Sequence, residues 1–352
     1  MLATTTINFL TKLLIGAVFS SVIAFFAPFT ATAQTTPRPC FDFTGSGRTS
    51  FATVTRGTQS ITWRILGNGG STGGGLQTVQ YGLSGVDFLT PGYFDNDNRA
   101  DLNVYRTTAS TYFPRPSTST IPNSFQAIPF GMSGDIPGLE ADYDGDGRDD
   151  LTIVRDGGNR FTWFFLRSSN NTVGVVNFGT PGSTGGGDGD IPIAGADYNG
   201  DGRADLTVIR TNLATGGDTY FVGDSTTGAT LLVQPWGEFD TDFYVVGDYL
   251  GDRRADFAVY RAFAGGLNGV WFIRENGGSG TVIRPFGFTS VGNKTTDHPI
   301  CGDYNGDGKQ DIAIYRSSNS SFYWLNSPGF NTFSGIRFGQ PGDFPVAGLR
   351  SF

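Results

Sequence analysis

One segment of this chain returns again and again. ADYDGDGRDDLTIVR at 141–155 recurs as ADYNGDGRADLTVIR at 196–210 and as GDYNGDGKQDIAIYR at 302–316. Looser copies stand at 92–106 (GYFDNDNRADLNVYR), 247–261 (GDYLGDRRADFAVYR) and 41–56 (FDFTGSGRTSFATVTR). The acidic loop in each copy begins at Asp42, Tyr93, Asp142, Asp197, Asp248 and Asp303, with spacings of 51, 49, 55, 51 and 55 residues. A second mark keeps the same beat, an aromatic residue followed by glycine. It reads Tyr81-Gly82, Phe130-Gly131, Phe178-Gly179, Trp236-Gly237, Phe286-Gly287 and Phe338-Gly339. Two marks alternating at one period require an array of equivalent units, each burying its apolar face against the next.

Each unit reads as four short strands. An apolar run such as Ile191–Ala194 precedes the acidic loop, and a second such as Leu206–Ile209 follows it. A third run carries aromatics (Phe161–Phe165, Val270–Ile273), and a fourth leads into the aromatic–glycine pair. Composition excludes helices as the alternative. The chain has 53 Gly, and only three of its 32 acidic residues are Glu (Glu140, Glu238, Glu275), whereas helix surfaces favour Glu and Lys. Four strands in roughly fifty residues, repeated, predict an all-β fold, a six-bladed β-propeller with four antiparallel strands per blade. An open solenoid is the competing architecture. Residues 343–350 begin with DFPVAG and repeat the start of a first strand, so the C-terminus is expected to complete the N-terminal blade and close the ring. Residues 38–41 compete for that place.

The acidic loops carry the chemistry. Asp142, Asp144, Asp146 and Asp150 occupy positions 1, 3, 5 and 9 of a nine-residue loop with Gly147 at position 6. Alternate carboxylates on a tight turn converge, the carbonyl of Arg148 at position 7 can join them, and hard oxygens in that number suit Ca²⁺. Asp197, Asn199, Asp201, Arg203 (by its carbonyl) and Asp205 form the equivalent set in the fourth repeat. Asp303, Asn305, Asp307, Lys309 (by its carbonyl) and Asp311 form it in the sixth. The glutamate that an EF-hand needs at position 12 is missing, so these are strand–loop–strand sites. Weaker candidates are Asp95, Asp97 and Asp101 in the second repeat, and Asp248, Asp252 and Asp256 in the fifth, where Leu250 and Arg253 interrupt the pattern. The first repeat keeps Asp42 alone. About three structural calcium ions are expected, and up to five. The competing reading is six Asp-Gly turns without metal.

Loops of the form D-x-[DN]-G-D-G-x-x-D alternating with Phe-Gly pairs resemble FG-GAP/VCBS repeats, over about residues 40–350. That resemblance implies the propellers of integrin α-subunits and of many secreted bacterial proteins, with calcium in the loop joining the innermost strand of a blade to the second. It leaves function broad, because the family includes adhesion receptors, lectins and accessory domains of polysaccharide-degrading enzymes.

Residues 1–33 stand apart. Lys12 is their one charge, an apolar run extends from Leu13 to Phe29, and Ala31 and Ala33 fit a signal-peptidase site. Cleavage there leaves a single domain of residues 34–352 with no membrane span, secreted to the extracellular space, periplasm or cell surface. An uncleaved anchor is the alternative. Cys40 and Cys301 hold equivalent positions in the first and last repeats, and export makes a disulfide between them plausible.

Every second strand ends in arginine (Arg56, Arg106, Arg155, Arg210, Arg261, Arg316). Every first strand is preceded by aspartate (Asp87, Asp135, Asp190, Asp242, Asp297, and Asp343 at the end). A ring of Arg–Asp pairs is expected on the face opposite the acidic loops, to stitch blades or to hold an anionic ligand. Length variation at 180–189, 211–219, 262–270 and 288–296 falls on that same face, making it the candidate binding surface.

The net charge of −8 disfavours nucleic acid. His298 replaces an apolar loop residue and is read as structural. No nucleophile elbow is present, and no catalytic residue is assigned. The expected function is a calcium-stabilised binding or adhesion module for a carbohydrate or an extracellular protein. A polysaccharide lyase or glycosidase, or an accessory domain to one, is the alternative.

Overall fold

The computed structural model describes residues 38–68, 75–117, 125–182, 189–262, 268–288 and 297–350. The signal segment 1–33 lies outside them, as do most of the lengthened stretches at 180–189, 262–270 and 288–296. The described residues form short strands and one 3-10 turn, Val346–Arg350, with no α-helix among them.

The strands make six antiparallel sheets. Blade four shows the plan, from Asp190–Ala196 innermost through Asp205–Asn212 and Gly217–Gly223 to Thr230–Glu238 at the rim. Blades two, five and six follow the same order. Blade three departs from the expected four strands. Its sheet has three (Leu151–Asp156, Phe161–Leu166, Val173–Asn177), and its inner segment is reduced to the bridges Ile136↔Val154 and Ala141↔Asp150. Gly138, at φ 91°, turns the backbone out of extended geometry between those bridges.

Burial follows position in the blade. Second strands are covered on both faces, so Leu206, Thr207, Val208 and Ile209 are all buried. Third strands alternate, and their inward positions hold the large rings Trp63, Trp163 and Trp271, all fully buried. The core lies between neighbouring blades. Tyr220 of blade four meets Phe257 of blade five at 5.2 Å, and Phe51 of blade one stacks on Tyr304 of blade six at 5.6 Å.

The ring is closed by one hydrogen bond made six times. The eighth residue of each acidic loop donates its backbone N–H to the carbonyl of the first residue in the preceding loop. Ala100 reaches Asp42, Asp149 reaches Tyr93, Ala204 reaches Asp142, Ala255 reaches Asp197, Gln310 reaches Asp248 and Thr49 reaches Asp303, all at 2.7 or 2.8 Å. An open solenoid would leave the last bond unmade. The C-terminal strand Phe344–Pro345 pairs with Phe51–Arg56 and supplies the inner strand of blade one. Residues 38–41 do not take that place. Cys40 instead bridges to Cys301 with Cα atoms 6.0 Å apart, joining the first and last repeats covalently.

Candidate functional site

The two ends of each inner hairpin carry different chemistry. At one end is the acidic loop. Its first carboxylate, where present, is held by the loop's own backbone. Asp142 accepts N–H bonds from Gly145 and Gly147, Asp197 from Gly200 and Gly202, and Asp303 from Gly306 and Gly308. The glycine at position 6 adopts positive φ (86° at Gly147, 84° at Gly202 and Gly308). Arg253 and Asn98 take the same turn without glycine, at 69° and 59°. The ninth residue is buried and accepts the N–H of the second, as Asp150 does from Tyr143 at 3.1 Å and Asp311 from Tyr304 at 2.7 Å.

The loops differ in what they bring together. In blade three Asp142, Asp144 and Asp146 present carboxylate oxygens all within 4.8 Å of one another, and in blade two Asp95, Asp97 and Asp101 do the same. The second set is one that the sequence ranks as weaker, because Tyr93 stands first. In blades four and six the asparagine at position 3 faces its neighbours with its amide. Asn199 donates to Asp201 and Asp205 at 3.2 Å, and Asn305 donates to Asp307 and Asp311 at 3.3 Å. The oxygens of these amides accept the backbone N–H of Asp201 and of Asp307, each at 2.8 Å, so presenting them to an ion requires that bond to be given up. In blade five Leu250 offers no oxygen. The donor sets of blades two and three suit a hard cation. Burial is the main cause that raises these carboxyls, to about 8 at Asp101 and Asp150 and about 7 at Asp142, with neighbouring acidic groups adding to it.

Serines after the third strand complete these loops, and sequence reasoning missed them. Ser168 donates its N–H to Asp150 and its hydroxyl to Asp146, both at 2.7 Å. Ser117 and Ser327 bond the equivalent aspartates in blades two and six. Their signal was a small polar residue at a fixed place after each aromatic strand, serine at Ser117, Ser168, Ser225 and Ser327 and asparagine at Asn68 and Asn276.

The other end carries the Arg–Asp ring. Asp87–Arg106, Asp135–Arg155, Asp190–Arg210, Asp242–Arg261 and Asp297–Arg316 are each joined by two hydrogen bonds of 2.6 to 3.0 Å, with the carboxylate buried. The sixth pair does not form as expected. Asp343 takes Arg64 of the third strand at 3.1 Å, and Arg56 turns to the carbonyl of Asp87 in the next blade. All six aspartates also accept the N–H of the residue after the aromatic–glycine pair, at 2.7 to 2.9 Å. Each therefore ties the rim of one blade to the core strands of the next, which is the stitching role. The five paired arginines lie over a third-strand ring, as Arg210 lies over Phe221 at 4.2 Å.

A cavity of about 520 Å³ opens at the loop end, lined by Asp142, Asp197, Asp248, Asp303, Arg203 and Arg254 among others. His298 packs its ring against Phe344 at 5.5 Å, and burial draws it below its ordinary range. That contact is structural. No described helix is long and apolar enough to cross a membrane.

Residues 142–208, spanning the third and fourth acidic loops, match the model of the FG-GAP-like repeat. Among solved structures the chain is similar to a hydrazine synthase of Kuenenia stuttgartiensis, with a TM-score of 0.45, 13% identity and coverage of 86% of this chain and 80% of that one. It is also similar to the Dos1 propeller, with a TM-score of 0.40, 8% identity and coverage of 84% and 77%. No curated protein matches the chain significantly.

Proposed function

We propose that this six-bladed β-propeller, whose residues 142–208 match the FG-GAP-like repeat, is an exported module that holds calcium in its acidic loops and binds a carbohydrate or an extracellular protein. The observation that carries the calcium reading is the convergence of three carboxylates in each of two successive loops, with oxygens within 4.8 Å. Asp142, Asp144 and Asp146 would hold one ion and Asp95, Asp97 and Asp101 another. The loops at Asp197 and Asp303 would join them once their asparagine oxygens turn inward. The ion supplies charge neutralisation to carboxylates that the fold buries together, so its role is stability.

Extracellular modules bind calcium at roughly 0.1–1 mM. At about 1 mM free ion and about 0.1 mM affinity, each site adds about 1.4 kcal/mol by mass action. Binding is favoured over catalysis because the aspartates at the other end are each committed to an arginine or to backbone N–H groups. Calorimetric titration of the chelated protein with Ca²⁺, beside a glycan array with and without the ion, tests both halves. No calcium heat removes the metal reading, and turnover of an arrayed glycan removes the binding-only reading.

A further inference from the structure

Between blades five and six the regular pattern gains an extra ring. Elsewhere the residue after the aromatic–glycine pair is Leu83, Met132, Thr180, Glu238 or Gln340, and its backbone N–H does the stitching. Here it is Phe288, which makes the same N–H bond to Asp297 and leaves its ring 49% exposed. Five blade junctions manage without this ring, so the scaffold does not require it.

Phe288 is one wall of an open groove of about 340 Å³. Arg316 lies between two rings, 4.1 Å from the centroid of Phe288 and 4.9 Å from that of Tyr323. Phe333, 63% exposed, stacks on Tyr323 at 5.8 Å and meets Phe286 edge-on at 6.1 Å. Asn268 supplies an amide to the lining. A comparable group at the junction of blades one and two is used for packing. There Tyr81, at 7% exposure, is closed in by Phe113 and Phe125.

We propose that the groove formed by Phe286, Phe288, Tyr323 and Phe333 binds a pyranose ring of a neutral glycan. Flat rings exposed in a concave site match a ligand with an apolar face, whose C–H groups rest on the negative face of an aromatic ring. The polar edge of that ligand has partners as well. Arg316 spends Nε and Nη2 on Asp297, while its Nη1 carries no hydrogen bond among the described residues. Because Asp297 neutralises the guanidinium, the groove offers hydrogen bonds without net charge, and this selects an uncharged sugar over an anionic one. Its size suits a small ring rather than a protein, whose stable interface takes on the order of 800 Å² per partner.

This inference rests on the binding role proposed above and assigns it a place and a ligand class. The test uses the full mature chain, its Phe288→Ala and Phe333→Ala variants, and Phe333→Tyr. The probes are neutral cello-, xylo-, manno- and chito-oligosaccharides, on an array and then by calorimetry. The expected result is wild-type binding to one series and weakening by about tenfold or more in both alanine variants. Phe333→Tyr should retain affinity, and all variants should keep the wild-type Tm. Wild-type affinity in both alanine variants overturns the site while leaving the binding role intact. A wild-type chain that binds none of the four series overturns the glycan assignment, and a protein ligand lost on Phe288→Ala would overturn it equally.

Discussion

Thr49 donates its backbone N–H to the carbonyl of Asp303 at 2.8 Å, and its hydroxyl accepts the N–H of Asp303 at 2.9 Å, across 254 residues of sequence. The five other junctions make the first of these bonds between loops of consecutive repeats. The same local geometry therefore serves as a neighbour contact five times and as ring closure once. Stability should depend on the junctions as a set, because opening any one of them exposes two blade faces.

The Arg–Asp ring gives a graded test. Arg210→Ala leaves the buried Asp190 carboxylate with the N–H of Thr180 as its remaining described hydrogen bond. The Arg210 side chain is 41% exposed, so solvent screens part of the interaction. The expected loss is about 2 kcal/mol in urea unfolding. Arg56→Ala, which removes one bond to a backbone carbonyl and no ion pair, should cost under about 1 kcal/mol. Equal losses would contradict the stitching role.

The glycine of the aromatic–glycine pair is required by two features at once. Gly131 has φ 104°, and a Cβ there would lie 2.8 Å from the Tyr105 hydroxyl and 3.1 Å from Asp135 Oδ2. Gly134 has a similar φ of 94° with open space around it. Gly131→Ala should cost about 3 kcal/mol or more, through strain plus displacement of the stitching aspartate. Gly134→Ala should cost about 1 kcal/mol through strain alone. Thermal unfolding of the pair separates the two contributions.

The loops predict where calcium matters first. Asp144→Asn and Asp97→Asn each remove a carboxylate from a converged set. Each should remove about 1.4 kcal/mol of calcium-dependent stability at the ion levels considered above, read as a smaller rise in Tm on adding calcium. Asp252→Asn, in the loop where Leu250 breaks the donor set, should leave that rise unchanged. A chelator that does not lower the Tm of the wild-type chain would contradict occupied loops altogether.

Repetition made most of this architecture legible. A mark that returns six times specifies the blade, the ring and the paired aspartates before any coordinate is known. Legibility failed where one repeat departs from the rest. Asp343 could not be assigned to Arg64 because the repeat points to Arg56. In blade one Arg64 stands at the third-strand place where the other blades carry the ring beneath the arginine (Phe113, Phe164, Phe221, Phe272, Tyr323), so the guanidinium reaches Asp343 from the third strand instead of the second. Asp95, Asp97 and Asp101 looked weaker because Tyr93 replaces the first carboxylate, yet Asp101 from position 9 closes the set. Phe288 went unremarked because it follows the glycine at a place where no residue type recurs.

Cys40 and Cys301 close a loop of nearly the whole domain, and such a long cross-link restricts the unfolded chain strongly. Cys301→Ser should lower stability by about 3 kcal/mol, less any native-state compensation by the adjoining hydrogen bonds. The native chain treated with an alkylating reagent without reductant should gain no mass. Two adducts under those conditions would show free thiols.

The strand Phe344–Pro345 supplies the inner edge of blade one and closes the ring. Asp343 accepts hydroxyl bonds from Thr53 and Thr55 and pairs with Arg64, all in blade one. Val346 and Ala347 behind it are buried at 0% and 3% exposure. Deleting residues 343–352 uncovers the inner edge of Phe51–Arg56, leaves the Thr55 hydroxyl as the remaining described hydrogen bond of Arg64 and opens the apolar seam between blades one and six. The expected loss exceeds about 4 kcal/mol, in the range reserved for broken buried networks. The Cys40–Cys301 bridge should keep the truncated ring from separating at that seam until reductant is added. A synthetic peptide of residues 341–352 should restore part of the lost Tm in a concentration-dependent way, since it supplies the missing strand in trans. A truncated chain that melts with the wild type would mean that some other segment completes blade one.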